Sequence, residues 1–221
     1  MGARDDIERN LERVRARMDE AATRSGRPCG SVRLVAVTKT VSVEQARILL
    51  ESGVTELGEN RVEEARSKVE ALGPTAQWHM IGTVQRRKAG EVVDLFAYVD
   101  SVDRLELAEA LERKCAERGK VMPVLLEVNV SGEASKHGFI PADLPSALDR
   151  VRALPHLLAE GLMTMAPLVD DPNEVRPVFA GLRKLAEQMG LKELSMGMSN
   201  DFEVAIEEGA TQVRIGTALF E

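Results

Sequence analysis

Lys39 closes a strongly apolar, β-type run, Val-Arg-Leu-Val-Ala-Val-Thr-Lys over 32–39, the one such run in the chain that bears a lysine. An amine at the mouth of a dry barrel keeps its charge only at a cost, so its pKa falls, and the neutral amine is the form that attacks an aldehyde. Schiff-base chemistry is the first reading of this residue. The ordinary alternative is a lysine whose stem packs while its ammonium reaches water, and position alone favours it. Arg214 is the second candidate. It alternates with Val213 and Ile215, so Gln212, Arg214 and Gly216 share one face of a strand and the apolar residues share the other. A guanidinium on an inner face must be paired or bound to a ligand. Ser199-Asn200-Asp201 looks like a helix cap, and Gly216-Thr217 supplies a compact turn with a hydroxyl. Both suit phosphate capture, although capping explains Ser199 equally well. Asp201 and Glu203 would repel a phosphate and are expected to point away from it.

The elements that must carry these groups follow from the pattern of apolar residues. A first amphipathic helix spans 5–25, and β-type runs then alternate with helical patterns: 34–39, 56–58, 77–81, 97–101, 122–130, 158–165, 193–196 and 212–216. Each is followed by a helix except the last. Such alternation means parallel strands, and eight β/α units in one domain close most naturally as a (β/α)8 TIM barrel with an extra N-terminal helix. A doubly wound sheet is the runner-up. No Gly/Ser-rich linker or low-complexity stretch divides the chain, so residues 1–221 are expected to form a single domain.

In a barrel the chemistry sits at the C-terminal ends of the strands. The residues there are Lys39; Glu59 and Asn60; Gly82; Asp100 and Ser101; Asn129 and Ser131; Met163, Thr164 and Met165; Gly197, Met198 and Ser199; and Arg214 to Thr217. Lys39 and Arg214 come from strands one and eight, which closure makes neighbours. His79 beside Trp78 suits either a ligand-flanking or a structural, hydrogen-bonded role, and the latter is commoner. Trp78 and Tyr98, the one Trp and the one Tyr, read as packing. His137, in a polar loop, reads as exposed or ligand-gating.

Composition narrows the partners. The net charge is -7, and Lys and Arg are dispersed, so nucleic acid is repelled. The densest basic cluster, Gln85-Arg86-Arg87-Lys88, reads as a solvated face. Cys29 and Cys115 lie far apart with neither disulfide nor zinc spacing, and the three histidines form no HxH or HxxxH pair, so no metal is expected and a reducing, cytoplasmic setting fits. The start carries acids among its bases and leads into an amphipathic helix, not an apolar h-region, and no later stretch reaches membrane-span length, so secretion and membrane insertion are disfavoured.

Several strings together carry a resemblance: Val37-Thr38-Lys39-Thr40, Gly58-Glu59-Asn60-Arg61, Trp78-His79-Met80-Ile81-Gly82, VNVSGEASKHGF over 128–139, GLMTMAP over 161–167, LSMGMSNDFEVAI over 194–206 and VRIGTALF over 213–220. In this order and spacing the chain resembles the pyridoxal 5′-phosphate homeostasis protein family, single-domain relatives of the N-terminal barrel of alanine racemase (fold type III). The resemblance implies pyridoxal 5′-phosphate (PLP) as cofactor, held as a Schiff base on Lys39. Arg214 would face the pyridine nitrogen, Ser199, Gly216 and Thr217 would hold the phosphate, and Asn60 and His79 would lie near the ring. It implies a non-catalytic carrier that buffers PLP or delivers it to apo PLP-dependent enzymes; a monomer or weak dimer is expected, between which the sequence does not choose. Relatives usually continue past the position of Glu221 with a Gly and an Arg, so a short C-terminal contact is expected to be missing or truncated. Two other readings stand beside this one. An amino-acid racemase needs a second base, a tyrosine that racemising relatives take from an additional β domain. A Schiff-base aldolase barrel would need no cofactor.

Overall fold

Short runs of aliphatic and β-branched residues form eight parallel strands in the computed structural model of the chain, which describes residues 2–221. They are β1 (Arg33–Val37), β2 (Glu56–Glu59), β3 (Gln77–Met80), β4 (Tyr98–Val102), β5 (Met122–Glu127), β6 (Leu157–Met163), β7 (Glu193–Ser195) and β8 (Gln212–Ile215). Each pairs with its sequence neighbours, and β8 pairs with β1, so the sheet closes as a barrel. Closure excludes the doubly wound alternative, whose sheet has two edges.

Around the barrel run α2 (Val43–Glu51), α3 (Val62–Leu72), α4 (Ala89–Leu95), α5 (Leu105–Arg118), α6 (Leu144–Arg152), α7 (Arg176–Met189) and α8 (Phe202–Glu207). Their boundaries follow local chemistry. Ser42 and Gln45 form a capping box at the start of α2, and α5 and α7 end at Gly119 and Gly190 in the left-handed conformation. The outward strand residues Leu57, Val99, Leu126, Leu162, Val213 and Ile215 are fully buried beneath the helices. The main hydrophobic core is therefore the layer between barrel and helices, and the barrel interior is left to a mixture that includes charges.

Helix α1 (Ala3–Arg24) is the expected N-terminal helix and packs on α2 and α8. The chain does not end in a strand, contrary to expectation. A short helix, α9 (Thr217–Phe220), follows β8, because fully buried Leu219 packs beneath α1 and Asn10 Nδ2 donates to its carbonyl at 3.4 Å. Strand five also stops earlier than its apolar pattern suggests. Phe139 donates to the Glu127 carbonyl at 2.8 Å, and the chain turns away there. Asn129 and Ser131 therefore leave the barrel, and Asn129 organises its own loop by donating to the Glu133 carbonyl at 2.9 Å and accepting from the Gly132 amide at 3.0 Å.

Candidate functional site at the barrel mouth

Pairing of Val35 with Arg214 and of Arg33 with Gln212 puts the polar parity of β8 on the inner wall. Arg214 is 3% exposed, and its two terminal nitrogens donate to Ser195 Oγ at 2.6 Å and to the Thr164 carbonyl at 2.9 Å. Burial pushes the guanidinium pKa down, and Asp100, Glu127 and Asp201 oppose that shift. The group stays charged at any working pH and can only donate.

Above it lies a cavity of about 450 Å3, walled by the ends of β1 and β8 and by the loops after β6 and β7. Lys39, Ser199, Arg214, Gly216 and Thr217 all line it. Five of the seven residues singled out from sequence are thus brought together. Val37, Ala166, Pro167, Met198 and Phe220 supply an apolar wall, and Lys136, Asp201 and Glu221 add charges. Asn60 and His79 lie elsewhere. Asn60 lines a neighbouring cavity of about 500 Å3 with Arg61, Gly82 and Arg87. His79 is fully buried on the barrel floor, where Asp100 holds its Nδ1 at 3.2 Å and Tyr98 stacks on it at 4.4 Å between ring centres.

Three expectations change in detail. Lys39 is exposed, so burial does not supply the desolvation assumed for an amine in a dry barrel, because β1 ends two residues earlier and Lys39 stands on a turn. Ser199 does not cap α8. Its hydroxyl accepts from the Ala218 amide at 3.3 Å and ties the loop after β7 to the start of α9. Asp201 does not turn away from the cavity, since its carboxylate accepts from the Met198 amide at 2.6 Å, and burial raises its pKa. Glu203 does turn away, to Arg17 at 2.7 Å. Gly197 makes this loop possible. Its φ is +94°, and a Cβ there would lie 2.6 Å from that of Ala205.

The basic 85–88 cluster is a paired, solvated face: Lys88 meets Glu63 at 2.8 Å and Glu91 at 2.9 Å, and Arg87 donates to Gln85. Glu127 was not anticipated as an interior group. Burial, reinforced by Asp103, pushes its carboxyl up to about 7, against the pull of Arg214 and His137. The alternation Leu125, Glu127 on a strand ending at 127 was the signal for it, hidden by the longer apolar run. No group of metal-ligating side chains occurs among the described residues.

The donor set fits a phosphorylated aldehyde: an amine, a fixed guanidinium, two hydroxyls and a glycine whose added Cβ would stand 3.3 Å from that of Val37, in a cavity of ligand size. Comparison with known proteins agrees with this geometry. The profile of the alanine racemase N-terminal domain family matches residues 5–221. The pyridoxal phosphate homeostasis protein of Aquifex aeolicus is 41% identical, with 95% of each chain covered. A solved protein of unknown role from Bifidobacterium adolescentis superposes with a TM-score of 0.93 at 36% identity, covering 99% of this chain and 96% of that one. PipY of Synechococcus elongatus, solved with PLP bound, superposes with a TM-score of 0.81 at 36% identity over 97% of this chain and 100% of that one. The chain therefore belongs to the alanine racemase N-terminal domain family, among the relatives named pyridoxal phosphate homeostasis protein.

Proposed function

We propose that this chain is a PLP-binding protein of intracellular PLP homeostasis, one domain over residues 1–221 that buffers the cofactor or delivers it to apo PLP-dependent enzymes. The observation that carries the reading is the meeting of Lys39, Ser199, Arg214, Gly216 and Thr217 around one cavity, in a family whose member PipY has been solved with PLP. When bound, PLP supplies an aldehyde that condenses with an amine, releasing water, and a ring that withdraws electrons. Lys39 is the attachment point. Its exposure suits a cargo that must arrive and leave, as a deeply enclosed amine would not. Ser199 and Thr217 hold the phosphate through their hydroxyls, and Gly216 lets the backbone come close.

Arg214 bears on why the protein is a carrier and not a catalyst. A guanidinium has no acceptor and keeps its protons at any working pH, so it donates a hydrogen bond to a ring nitrogen without protonating it and weakens the electron sink on which racemisation depends. Tyr98, the sole tyrosine, is stacked on His79 beneath the site, so it offers no base at the mouth opposite Lys39. Among the described residues no helix is long and apolar enough to cross a membrane; a cytoplasmic place is part of the proposal.

Visible absorption of the purified protein with added PLP, repeated after borohydride reduction, tests the reading. A visible band that reduction removes, with the adduct mapped to Lys39 by mass spectrometry, is expected. A protein that stays colourless with PLP would put the aldolase reading in front. Labelling at Lys88 or Lys136 would overturn the assignment of Lys39. Rapid Cα exchange of alanine or serine in deuterated solvent would restore the racemase.

A further inference from the structure

We infer that the buried Lys68–Glu59 ion pair is a positioning device for the Lys39 amine. The inference rests on the reading of Lys39 as the attachment point and goes beyond it, because neither residue lines the cavity. The β1–β2 ladder ends where Val37 pairs with Gly58, after a last bond from the Thr38 amide to the Gly58 carbonyl at 2.9 Å. The Thr38 carbonyl then accepts from the Val41 amide at 3.2 Å, which closes a four-residue turn with Lys39 and Thr40 at its corner. Lys39 is thus carried by a turn outside the sheet, and the sheet alone does not fix it.

The ion pair fixes that turn from behind. Lys68, on α3, donates through Nζ to the same Thr38 carbonyl and to Glu59 Oε1 at 2.8 Å, while Thr38 Oγ1 donates to that carboxylate oxygen at 2.6 Å. Main chain and side chain of the residue before Lys39 are therefore both held by one pair. Glu59 is itself held, since its carbonyl accepts from Ile81 at 3.0 Å, and a Cβ on Gly82 would lie 2.4 Å from the Asn60 carbonyl oxygen, so the loops after β2 and β3 are pressed together.

Stability is a poor explanation for this arrangement. Glu59 is fully buried and Lys68 is 5% exposed, so both charges are taken out of water, and an apolar pair of the same volume is often as stable or more so. Glu59 Oε2 has no partner at all in its buried site. The pair gives orientation instead. It is a directional clamp in the wall of the barrel, where an apolar pair would fill the space and leave the turn free to shift.

The test separates attachment from binding. The double variant Glu59→Met/Lys68→Met replaces the pair by apolar chains of similar length, and circular dichroism checks its fold. Stopped-flow absorbance gives the rate of covalent attachment of PLP, borohydride fixation with mass spectrometry gives its site, and titration with pyridoxine 5′-phosphate, which has no aldehyde, gives the non-covalent affinity. The expected result is attachment slowed about tenfold or more, the scale of a sub-ångström to ångström misplacement, with affinity for pyridoxine 5′-phosphate within about twofold of wild type. A folded double variant that attaches PLP at the wild-type rate would overturn the inference, as would equal losses of rate and affinity. If the double variant does not fold, Glu59→Gln decides by the same two readouts, since it keeps the volume and removes the charge that holds the ammonium. Wild-type protein labelled away from Lys39 would remove the premise; labelling at Lys39 with an undiminished rate in the variant would overturn this inference alone.

Discussion

The two ends of the barrel interior both carry polar and charged side chains and use them differently. On the floor, Arg33 meets Glu193 at 2.7 Å and Gln212 at 3.0 Å, Asp100 accepts from His79 and from Gln212 at 2.5 Å, and Tyr98 covers the imidazole. Two atoms there lack hydrogen bonds, His79 Nε2 and Glu56 Oε2, and they face each other at 3.7 Å. At the mouth, Arg214 is pinned, but Lys39 and Thr217 stand exposed around a cavity. Polar groups closed on one another hold a structure; polar groups fixed in place with one side open hold a ligand. Floor variants should therefore move stability, and mouth variants should move cofactor binding.

The largest expected contrast is between Lys39→Ala and Asp100→Ala. Lys39→Ala should abolish covalent attachment while leaving some phosphate-anchored binding and an unchanged melting temperature. Asp100→Ala strips the buried hydrogen-bond partner from His79 and Gln212 and should cost about 1–3 kcal/mol for each group left unpaired, read by urea unfolding. If Asp100→Ala leaves stability intact and weakens PLP instead, the division between floor and mouth fails.

Glu127, buried at the end of β5, does not line the cavity, so its variant should move stability as a floor variant does, here through pH. Its folded carboxyl titrates at about 7 against 4.5 in the unfolded chain, so the folded state binds the extra proton. The contribution of this group is fully present below the unfolded value and is lost as pH rises through the folded one. Glu127→Gln should then change little at acid pH and should stabilise above pH 7 by up to about 3 kcal/mol. Denaturant midpoints across that range check it, and a gain independent of pH would contradict it.

Ser199→Ala with Thr217→Val should weaken PLP by about 1–3 kcal/mol, as lost hydrogen bonds to a charged group do, and should hardly touch pyridoxal, which has no phosphate. Equal losses for both ligands, read by fluorescence titration, would move the phosphate elsewhere. Smallest of all should be Arg150→Ala, which removes an exposed pair with Glu109 and belongs to neither end. It should shift stability by no more than about 0.5 kcal/mol in the same unfolding assay.

The β/α alternation, the parity of Gln212, Arg214 and Gly216, and the ordered motifs were all legible along the chain, because local periodicity and short strings are local properties. They gave the barrel, the inward guanidinium and the candidate residues. The meeting of Lys39 with Ser199 and Arg214 needed the closure of β8 onto β1, since nothing local brings strand one to strand eight. The exposure of Lys39 was hidden for a related reason. An apolar run tells where burial begins and not where the ladder stops, and here the ladder stops at Val37. The place of His79 on the floor depended on which carboxylate the barrel put beside it, and Asp100 reaches it from the next strand. Lys68 gave no signal at all as one lysine on an amphipathic helix, because a charge buried against the wall is defined by its partners, Glu59 and Thr38, and partners from separate elements exist only once those elements pack.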